Sequence, residues 1–377
     1  MDKPIVLVGG GSAGHLFPAM CVAETILMLD SRARVIFVCS DNEPCNGYLR
    51  KRAEELDRLI LHAVQFGRVD SSRPLTYLGS IMRYFAQFPR IFRLMKQLSP
   101  GTTVGFGGYQ SFLPVVCSRM LGARTVIHEQ NVTFGRANRM LVPFADMVAV
   151  SFPETQTFLS KGRITLTGNP IRRFSAKARQ QREAVAASRE KFGLTPDCFT
   201  IAVMGGSKGS SFINRLFVAT AGLLEERNRR FQVLHLAGTV DAARVNSESR
   251  DLRCRYCVRD FIDNMEDVFL SADLVIGRAG ATTIAELSCF GLPAILIAYP
   301  YASSHQAANA RLLERAGAAL VLEQHRATPE RLADMIADTV DEEGLLERLS
   351  AHIRRFTYDD AGQRLAERIL QLHTGEL

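Results

Sequence analysis

Short apolar runs alternate with stretches of helical periodicity along most of this chain. Runs of about four to eight consecutive apolar residues are typical of strands that are buried on both faces of a parallel sheet. Such runs predict strands over residues 5–8, 35–39, 125–128, 147–150, 199–204, 233–237, 274–276 and 294–297. The stretches between them predict helices over residues 17–29, 75–98, 111–121, 212–227, 282–290, 305–315 and 329–339. The alternation favours an α/β fold with helices on both faces of parallel sheets.

The alternation stops once, over residues 175–191, which are highly charged and hold few large apolar side chains. We expect a first domain over residues 1–168, an interdomain connection over 169–198, a second domain over 199–355, and a C-terminal helix over 356–377 that packs back toward the first domain. A strand, a glycine turn and a helix follow one another near the start of each domain. This repetition predicts two Rossmann-like, doubly wound domains whose strand ends face one cleft.

Composition and charge narrow the class of protein. The chain has 377 residues, 47% of them hydrophobic, which is enough for two cores of ordinary size. The first apolar run is too short for a secretion signal, and the eight scattered cysteines are typical of a reducing compartment. The whole net charge of +7 lies in residues 1–168, and residues 71–128 hold seven basic and no acidic residues. This excess predicts an anionic surface or substrate as a partner.

The first glycine turn formally fits G-x-G-x-x-G, with Gly9, Gly11 and Gly14. Glycines at a helix N-terminus let a phosphate approach backbone N–H groups, so the turn suits a dinucleotide, a pyrophosphate-linked substrate or only a tight turn. A dinucleotide would find a ribose partner in Asp41. His15 follows directly, and the positive helix end keeps its ring neutral. The pattern leaves two roles open for it, a general base and a structural histidine.

A second loop, residues 277–286 (GRAGATTIAE), carries a stronger signal. Gly280 permits a close turn, and Thr282 and Thr283 can cap the helix and contact a phosphate. Glu286 is either a solvated helix residue or an acceptor for both ribose hydroxyls, and the neighbouring phosphate loop favours the second role. Gln306, at the start of the next helix, suits either a sugar or a helix cap.

Residues 75–98 mix large apolar side chains with Arg83, Arg90, Arg93 and Lys96, and Pro89 predicts a break in this helical stretch. The stretch is either a core helix or a membrane-facing edge. Each basic residue near anionic lipid contributes about 1 kcal/mol, so the absence of acids favours the membrane. The residues of the predicted membrane patch are Arg73, Leu78, Met82 and Phe85.

Some motifs are missing from the sequence. It contains no D-x-D pair, no P-loop lysine motif and no G-x-S-x-G. These absences argue against a metal-clamped diphosphate, an ATPase and the usual hydrolase. For the leading hypothesis we expect neither a metal nor a cofactor.

Taken together and in order, eight motifs closely resemble those of MurG, the family of UDP-N-acetylglucosamine transferases of peptidoglycan synthesis. The motifs are GGGSAGHLFPA (9–19), GFGGYQS (105–111), HEQN (128–131), GNPIR (168–172), GGSKG (205–209), FID (261–263), GATTIAE (280–286) and HQAANA (305–310). The resemblance covers nearly the whole chain, and it is less clear over residues 175–191 and 241–253.

The resemblance implies an inverting, metal-independent transferase with the two-domain GT-B fold. It implies transfer of N-acetylglucosamine from UDP-N-acetylglucosamine to the 4-hydroxyl of undecaprenyl-pyrophosphoryl-N-acetylmuramyl pentapeptide, which converts lipid I to lipid II. It also implies a peripheral position at the cytoplasmic face of the inner membrane, with anionic lipids and the cell-wall and division machinery as partners. No nucleic acid is expected as a partner.

The resemblance also implies roles for individual residues, with His15 as the general base. The implied donor-binding residues are Ser12, Ala13, Gly14, Asn131, Arg172, Ser207, Ile262, Ala281, Thr282, Thr283, Ile284, Ala285, Glu286 and Gln306. The implied acceptor-binding residues are Gly11, Gly108, Tyr109, His128 and Glu129. The chain departs from the family at Ser12 and Ala13, where threonine and glycine are usual, and at Lys208, where glutamine is common.

Three other classes of protein remain as alternatives. An NAD-dependent oxidoreductase would use the first glycine turn and Asp41 but leave the second glycine loop unexplained. A GT-B transferase for another glycolipid acceptor would share most of the motifs. A scaffold at the membrane surface, without catalytic activity, would need only the basic apolar stretch.

Overall fold

The structure is a computed structural model, and it describes residues 3–10, 13–41, 46–66, 74–158, 164–172, 174–300 and 305–376. The strands are β1 Ile5–Val8, β2 Val35–Ser40, β3 Leu59–Val64, β4 Thr102–Gly105, β5 Arg124–Glu129, β6 Met147–Val150, β7 Ile164–Leu166, β8 Thr200–Met204, β9 Gln232–Leu236, β10 Tyr256–Arg259, β11 Leu274–Gly277, β12 Ala294–Leu296 and β13 Leu320–Val321. The helices are α1 Ala13–Leu29, α2 Asn46–Glu55, α3 Pro74–Phe85, α4 Phe88–Leu98, α5 Gly108–Met120, α6 Arg136–Leu141, α7 Arg182–Lys191, α8 Ser211–Glu226, α9 Ala242–Glu248, α10 Met265–Ser271, α11 Ala281–Phe290, α12 His305–Arg315, α13 Pro329–Asp341, α14 Leu345–Ile353 and α15 Ala361–Thr374.

The chain divides into two compact units, Met1–Arg172 with Tyr358–Leu377, and Arg173–Thr357. The predicted interdomain connection, residues 169–198, is divided between the units: residues 169–172 belong to the first and the rest to the second. The charged segment 175–191 contains α7, which packs against α10 inside the second unit. Arg189 explains this placement, because its guanidinium donates to Ser271 O at 3.0 Å and pairs with Asp273 at 2.7 Å.

The sheet of the first unit has seven parallel strands in the order β3-β2-β1-β4-β5-β6-β7. One face of the sheet is covered by α1 and α15, whose Leu16, Ile26 and Leu365 are fully buried among strand residues. The other face is covered by α4 and α5, with Ile91 and Leu113 in the core. Because helices cover both faces, the central strands are apolar at successive positions, as the sequence pattern predicted.

The sheet of the second unit has six parallel strands in the order β10-β9-β8-β11-β12-β13. One apolar cluster of this unit joins α8 and α13 to the strands, with Phe217, Leu274 and Leu332 fully buried. The predicted α/β fold with two doubly wound sheets is therefore confirmed.

The helical stretch 75–98 is interrupted where Pro89 predicted a break. α3 ends at Phe85 and α4 begins at Phe88. Pro89 occupies the first turn of α4, where backbone N–H groups have no acceptor within the helix, so the missing N–H of proline costs no helical hydrogen bond. The sequence pattern missed β4, because Thr102 and Thr103 occupy half of it. Both threonines are fully buried, and Thr103 Oγ1 donates to Ser118 Oγ at 2.8 Å.

Candidate active site

Three of the family motifs, residues 9–19, 105–111 and 128–131, lie at the carboxyl ends of neighbouring strands of the first sheet. β1 and β4 are adjacent, and the strand order reverses between them, because β2 flanks β1 and β5 flanks β4. Ligands of such sheets bind beyond the carboxyl ends of the strands at this reversal. The segments after β1, β4 and β5, which carry His15, Gly108 and Gln130, therefore meet at one edge.

His15 lies in the first turn of α1, and its ring packs against the glycine pair after β4. The ring Nδ1 is 3.1 Å from Gln130 Oε1. Gly107 has a φ of 90° and Gly108 a φ of 71°, which are conformations that side chains disfavour. A Cβ on Gly107 would lie 3.1 Å from His15 Cε1, so a side chain there would push the ring away.

Gln130 and His128 form a buried polar layer behind His15. Gln130 Nε2 donates to Phe106 O at 2.8 Å and lies 3.1 Å from His128 Nδ1. His128 Nε2 is 3.1 Å from Gly168 O, and the side chain is completely buried. Burial lowers the pKa of His128 to about 4, and the nearby His15 acts in the same direction. His128 is therefore neutral, and it can reach a ligand only through Gln130 and His15.

Glu129 organises the loop that follows β5. One carboxylate oxygen accepts hydrogen bonds from Asn131 N and Nδ2, each at 3.0 Å. The other accepts from Gly135 N and Asn138 Nδ2, each at 2.9 Å. The carboxylate is 1% exposed, so it holds Asn131 in place rather than facing solvent.

Tyr109 connects the site to the predicted membrane patch. Tyr84 of α3 donates from its hydroxyl to Tyr109 O and accepts from Leu113 N at 3.2 Å. The rings of Tyr84 and Tyr109 meet edge to face at 5.6 Å. On the same helix, Met82 is 67% and Phe85 43% exposed. Exposed apolar side chains thus lie on a helix that directly fixes the start of α5.

Arg172, at the end of the first segment of this unit, stacks on α1. Its guanidinium lies 4.7 Å from the centre of the Phe17 ring. Ile171 O accepts a hydrogen bond from Cys21 Sγ at 3.0 Å. The GNPIR segment is thereby held against the helix that carries His15.

In the second unit, the loops after β8 and β11 lie side by side, because these two strands are paired at the reversal of the sheet. A Cβ on Gly205 would lie 2.3 Å from Ser210 N, and one on Gly209 would lie 2.2 Å from Ala237 O. Only glycine fits these positions, and the turn leaves Ser207 and Lys208 exposed.

Arg278 is a residue of this site that the sequence analysis missed. Its guanidinium donates to Ile297 O at 2.9 Å, to Gln324 Oε1 at 2.8 Å and to Ser210 Oγ at 2.8 Å. The side chain is 7% exposed, and no carboxylate among the described residues forms an ion pair with it. Burial lowers its pKa to about 10, so the group remains a cation at neutral pH. A buried cation of this kind favours an anionic ligand.

The remaining predicted donor residues of the second unit lie on α11, at the start of α12 and in the loop that follows β10. The N-cap of α11 is Gly280, which has no side chain to cap it, and Thr282 and Thr283 lie in its first turn. Glu286 is 7% exposed. Gln306 Oε1 accepts from Tyr299 N at 2.9 Å, and Ile262 is partly exposed in the loop between β10 and α10. The helix residues Ala281, Ile284 and Ala285 lie in the same first turns.

Some predicted residues lie outside the part of the chain that the structure describes. Gly11, Ser12 and Arg73 belong to this group, and for Ala13 and Leu78 only the backbone is described. Within the described residues, no three or more His, Cys, Asp or Glu side chains are grouped as metal ligands. No described helix combines the length and apolar character that crossing a membrane requires.

Comparison with known proteins identifies the class. The glycosyltransferase family 28 N-terminal domain matches residues 5–150, and the family's C-terminal domain matches residues 200–365. The crystal structure of Acinetobacter baumannii MurG superposes with a TM-score of 0.74 at 25% identity, covering 98% of this chain and all of that chain. The chain thus has the fold of a GT-B glycosyltransferase.

Curated relatives extend this similarity over nearly the whole chain. A protein of Citrifermentans bemidjiense is 32% identical over 96% of this chain and 97% of its own length. One of Geobacter sulfurreducens is 31% identical over 97% and 98%. Both are named UDP-N-acetylglucosamine–N-acetylmuramyl-(pentapeptide) pyrophosphoryl-undecaprenol N-acetylglucosamine transferase. The chain therefore belongs to glycosyltransferase family 28, among the MurG transferases.

Proposed function

We propose that this protein transfers N-acetylglucosamine from UDP-N-acetylglucosamine to the 4-hydroxyl of the lipid-linked N-acetylmuramyl pentapeptide. The observation that carries the proposal is the placement of His15. The imidazole of His15 is held by Gln130 and packs against two glycines at the strand reversal of the first sheet. The names of the relatives supply the donor and the acceptor.

The reaction needs one proton transfer and one displacement. His15 takes the proton of the acceptor hydroxyl as its oxygen attacks the anomeric carbon. The bond from that carbon to the diphosphate oxygen breaks, its electron pair leaves with UDP, and the configuration inverts. A positioned general base typically contributes about 10²- to 10⁴-fold to such a rate.

Departing UDP requires stabilisation of its negative charge. Arg278 is a buried cation beside Ser210, and the loop of Ser207 and the start of α11 present backbone N–H groups. Such preorganised charges act most strongly where water is excluded. Glu286 would accept hydrogen bonds from the ribose hydroxyls, and the backbone at Ile262 would meet the uracil edge. Ser12, Asn131, Arg172 and Gln306 complete the proposed donor contacts.

The proposed acceptor contacts are in the first unit. Gly11, Gly108 and Tyr109 would face the acceptor diphosphate, and the effects of His128 and Glu129 would pass through Gln130 and Asn131. Met82 and Phe85 with the exposed Arg83 would hold the protein at anionic lipid at the cytoplasmic face of the membrane. This position would bring the enzyme to its lipid-linked acceptor and to the cell-wall and division machinery.

The decisive experiment incubates labelled UDP-N-acetylglucosamine with a short-chain analogue of the lipid-linked muramyl pentapeptide. We expect label in the lipid product and stoichiometric release of UDP. In parallel, His15→Ala should lose turnover and keep UDP binding. Transfer to an unrelated glycolipid but not to the muramyl lipid would reassign the acceptor. Absence of transfer to any acceptor, with UDP still bound, would contradict the proposed activity.

A further inference from the structure

Four groups of the first unit form a continuous hydrogen-bonded series that ends at His15. The series runs from Gly168 O through His128 and Gln130 to His15 Nδ1, and each of its three links is 3.1 Å long. Gln130 is 2% exposed and His128 is completely buried. Solvent therefore does not supply alternative partners for these two side chains.

The direction of each hydrogen bond follows from the carbonyl at the far end. Gly168 O can only accept, so His128 carries its proton on Nε2. The ring is neutral, which leaves Nδ1 as an acceptor. Gln130 donates to this atom from Nε2, and the same amide group donates to Phe106 O at 2.8 Å. Because Phe106 O and His128 Nδ1 both accept hydrogen bonds, the NH₂ group of Gln130 must face them. These two partners thus set the orientation of the Gln130 amide.

The carbonyl oxygen of Gln130 consequently faces His15. Because Gln130 Oε1 can only accept, the nitrogen opposite it, His15 Nδ1, must carry a proton. In a neutral ring the basic lone pair is then on Nε2. The ring occupies space that a side chain at position 107 would need, because a Cβ on Gly107 would lie 3.1 Å from His15 Cε1.

We propose that Gln130 and His128 are positioning residues that fix His15 as the Nδ1–H tautomer, with Nε2 as the atom that accepts the proton. The tautomer assignment stands on the hydrogen bonds alone, and its catalytic consequence rests on the proposed function of His15. An amide takes the place that a carboxylate would occupy in a charged dyad, so the ring is oriented without a buried charge beside it.

The tautomer is measured directly by NMR of protein labelled with ¹⁵N at its histidine rings. Long-range proton–nitrogen correlations distinguish the protonated from the unprotonated ring nitrogen, and His15→Gln assigns the signals. We expect the wild-type protein to show His15 protonated on Nδ1 and His128 protonated on Nε2. This arm needs no variant in the series itself. An Nε2–H tautomer at His15 in the wild-type protein would overturn the proposal.

The second arm compares Gln130→Leu with Thr103→Val, which also removes a buried side-chain hydrogen bond from this unit. We expect Gln130→Leu to release His15 from the Nδ1–H tautomer and to lower kcat by about 10- to 100-fold, with both KM values within about threefold. Thr103→Val should change neither tautomer nor kcat. Gln130→Glu restores an acceptor opposite Nδ1, so it should retain the tautomer and turn over faster than Gln130→Leu.

The outcomes separate this inference from the proposed function. If Gln130→Leu folds and His15 remains Nδ1–H, the positioning role of Gln130 is refuted. If the tautomer changes and kcat does not, the hydrogen-bonded series stands and His15 is not the general base. If Gln130→Leu does not fold, His128→Leu is measured instead, and an unchanged tautomer population at His15 there refutes the role of His128.

Discussion

Arg278 and Ser210 join the glycine loops that follow β8 and β11 in the second unit, because the arginine Nη2 donates to the serine Oγ at 2.8 Å. Ser210 also accepts from Ile213 N at 3.4 Å as the N-cap of α8. One side chain thus links the start of α8 to the loop that precedes α11. The same buried cation lacks a carboxylate partner among the described residues. We therefore expect that a substitution of Arg278 changes both donor binding and the geometry of these two loops.

Replacing Arg278 tests this dependence. We expect Arg278→Met to weaken UDP binding by about 100-fold, because a charge-assisted contact to phosphate is lost, and to lower kcat/KM at least as much. Calorimetric titration with UDP measures the first effect. Arg227→Met is the control, since Arg227 pairs with Asp334 at an exposed site. Equal UDP affinity in the two variants would remove Arg278 from the donor site.

Glu286 should matter for the nucleoside and not for the sugar. We expect Glu286→Ala to weaken UDP and UDP-N-acetylglucosamine binding alike, by about 10- to 100-fold, because hydrogen bonds to the ribose are lost from both. Displacement of a fluorescent UDP analogue measures both affinities. The exposed Glu226→Ala is the control. An affinity loss confined to the sugar nucleotide would contradict the ribose role.

Gly107 offers a test of how closely the ring of His15 is packed. A Cβ at Gly107 would lie 3.1 Å from His15 Cε1, whereas one at Gly122, with a φ of 81°, would meet nothing within 4 Å. Both alanine variants should lose about 1–3 kcal/mol of stability from backbone strain. Only Gly107→Ala should lower kcat, by about 10-fold or more, because the ring is displaced. Thermal denaturation and steady-state kinetics measure the two effects, and similar kcat values would contradict the packing argument.

His128 makes the stability of the first unit depend on pH. Its folded-state pKa of about 4 lies below the ordinary 6.5, because burial disfavours the imidazolium. The unfolded chain therefore binds an extra proton between these values, and stability falls as pH is lowered from about 6.5 to about 4, by about 3 kcal/mol in all. Urea denaturation at several pH values should show a shallower dependence for His128→Gln. The exposed His325→Gln should retain the wild-type dependence.

Met82 tests the predicted membrane patch. It is 67% exposed on α3, and Met28 of α1, at 58%, provides a matched control on another helix. We expect Met82→Glu to reduce cosedimentation with anionic vesicles by about 10-fold, since apolar burial is lost and a repelled charge is added. Met28→Glu should bind vesicles as the wild type does. Equal losses in both variants would indicate a general charge effect and would refute the patch.

The outline of the fold could be predicted because a strand that is buried on both faces is a run of consecutive apolar residues. β1 and β6 have the predicted bounds, and the helix at His305–Arg315 does as well. β4 could not be predicted from apolar pattern, because its Thr102 and Thr103 are buried and satisfied by distant residues. Thr102 Oγ1, for example, lies 2.9 Å from His373 of α15. Local sequence contains no information about such a partner.

The candidate site could likewise be predicted only in part from the sequence. Glycine turns, His15 and Glu286 were visible from their residue types beside predicted strand ends. Arg278 could not be recognised in this way, because the sequence does not distinguish a buried arginine in GRAGATTIAE from a solvent-exposed loop arginine. Its hydrogen-bond partners are known only from the structure. Asn138 was missed as well, and it donates to His128 O at 3.0 Å and so helps to hold the loop of Glu129. His15 and His128 both belong to family motifs. The motifs did not show that His128 is buried, whereas His15 packs against Gly107 and Gly108.

The sequence by itself determined the class of fold, the places where strands end in glycine turns, and the family that these turns indicate. It did so because backbone geometry and burial act on each residue locally, through side-chain size and polarity. The tertiary structure alone decided which nitrogen of His15 carries its proton and that Arg278 is a cation without a carboxylate partner among the described residues. These properties depend on hydrogen bonds between residues as far apart in the chain as His15 and Gln130, and only folding brings such groups within 3.1 Å.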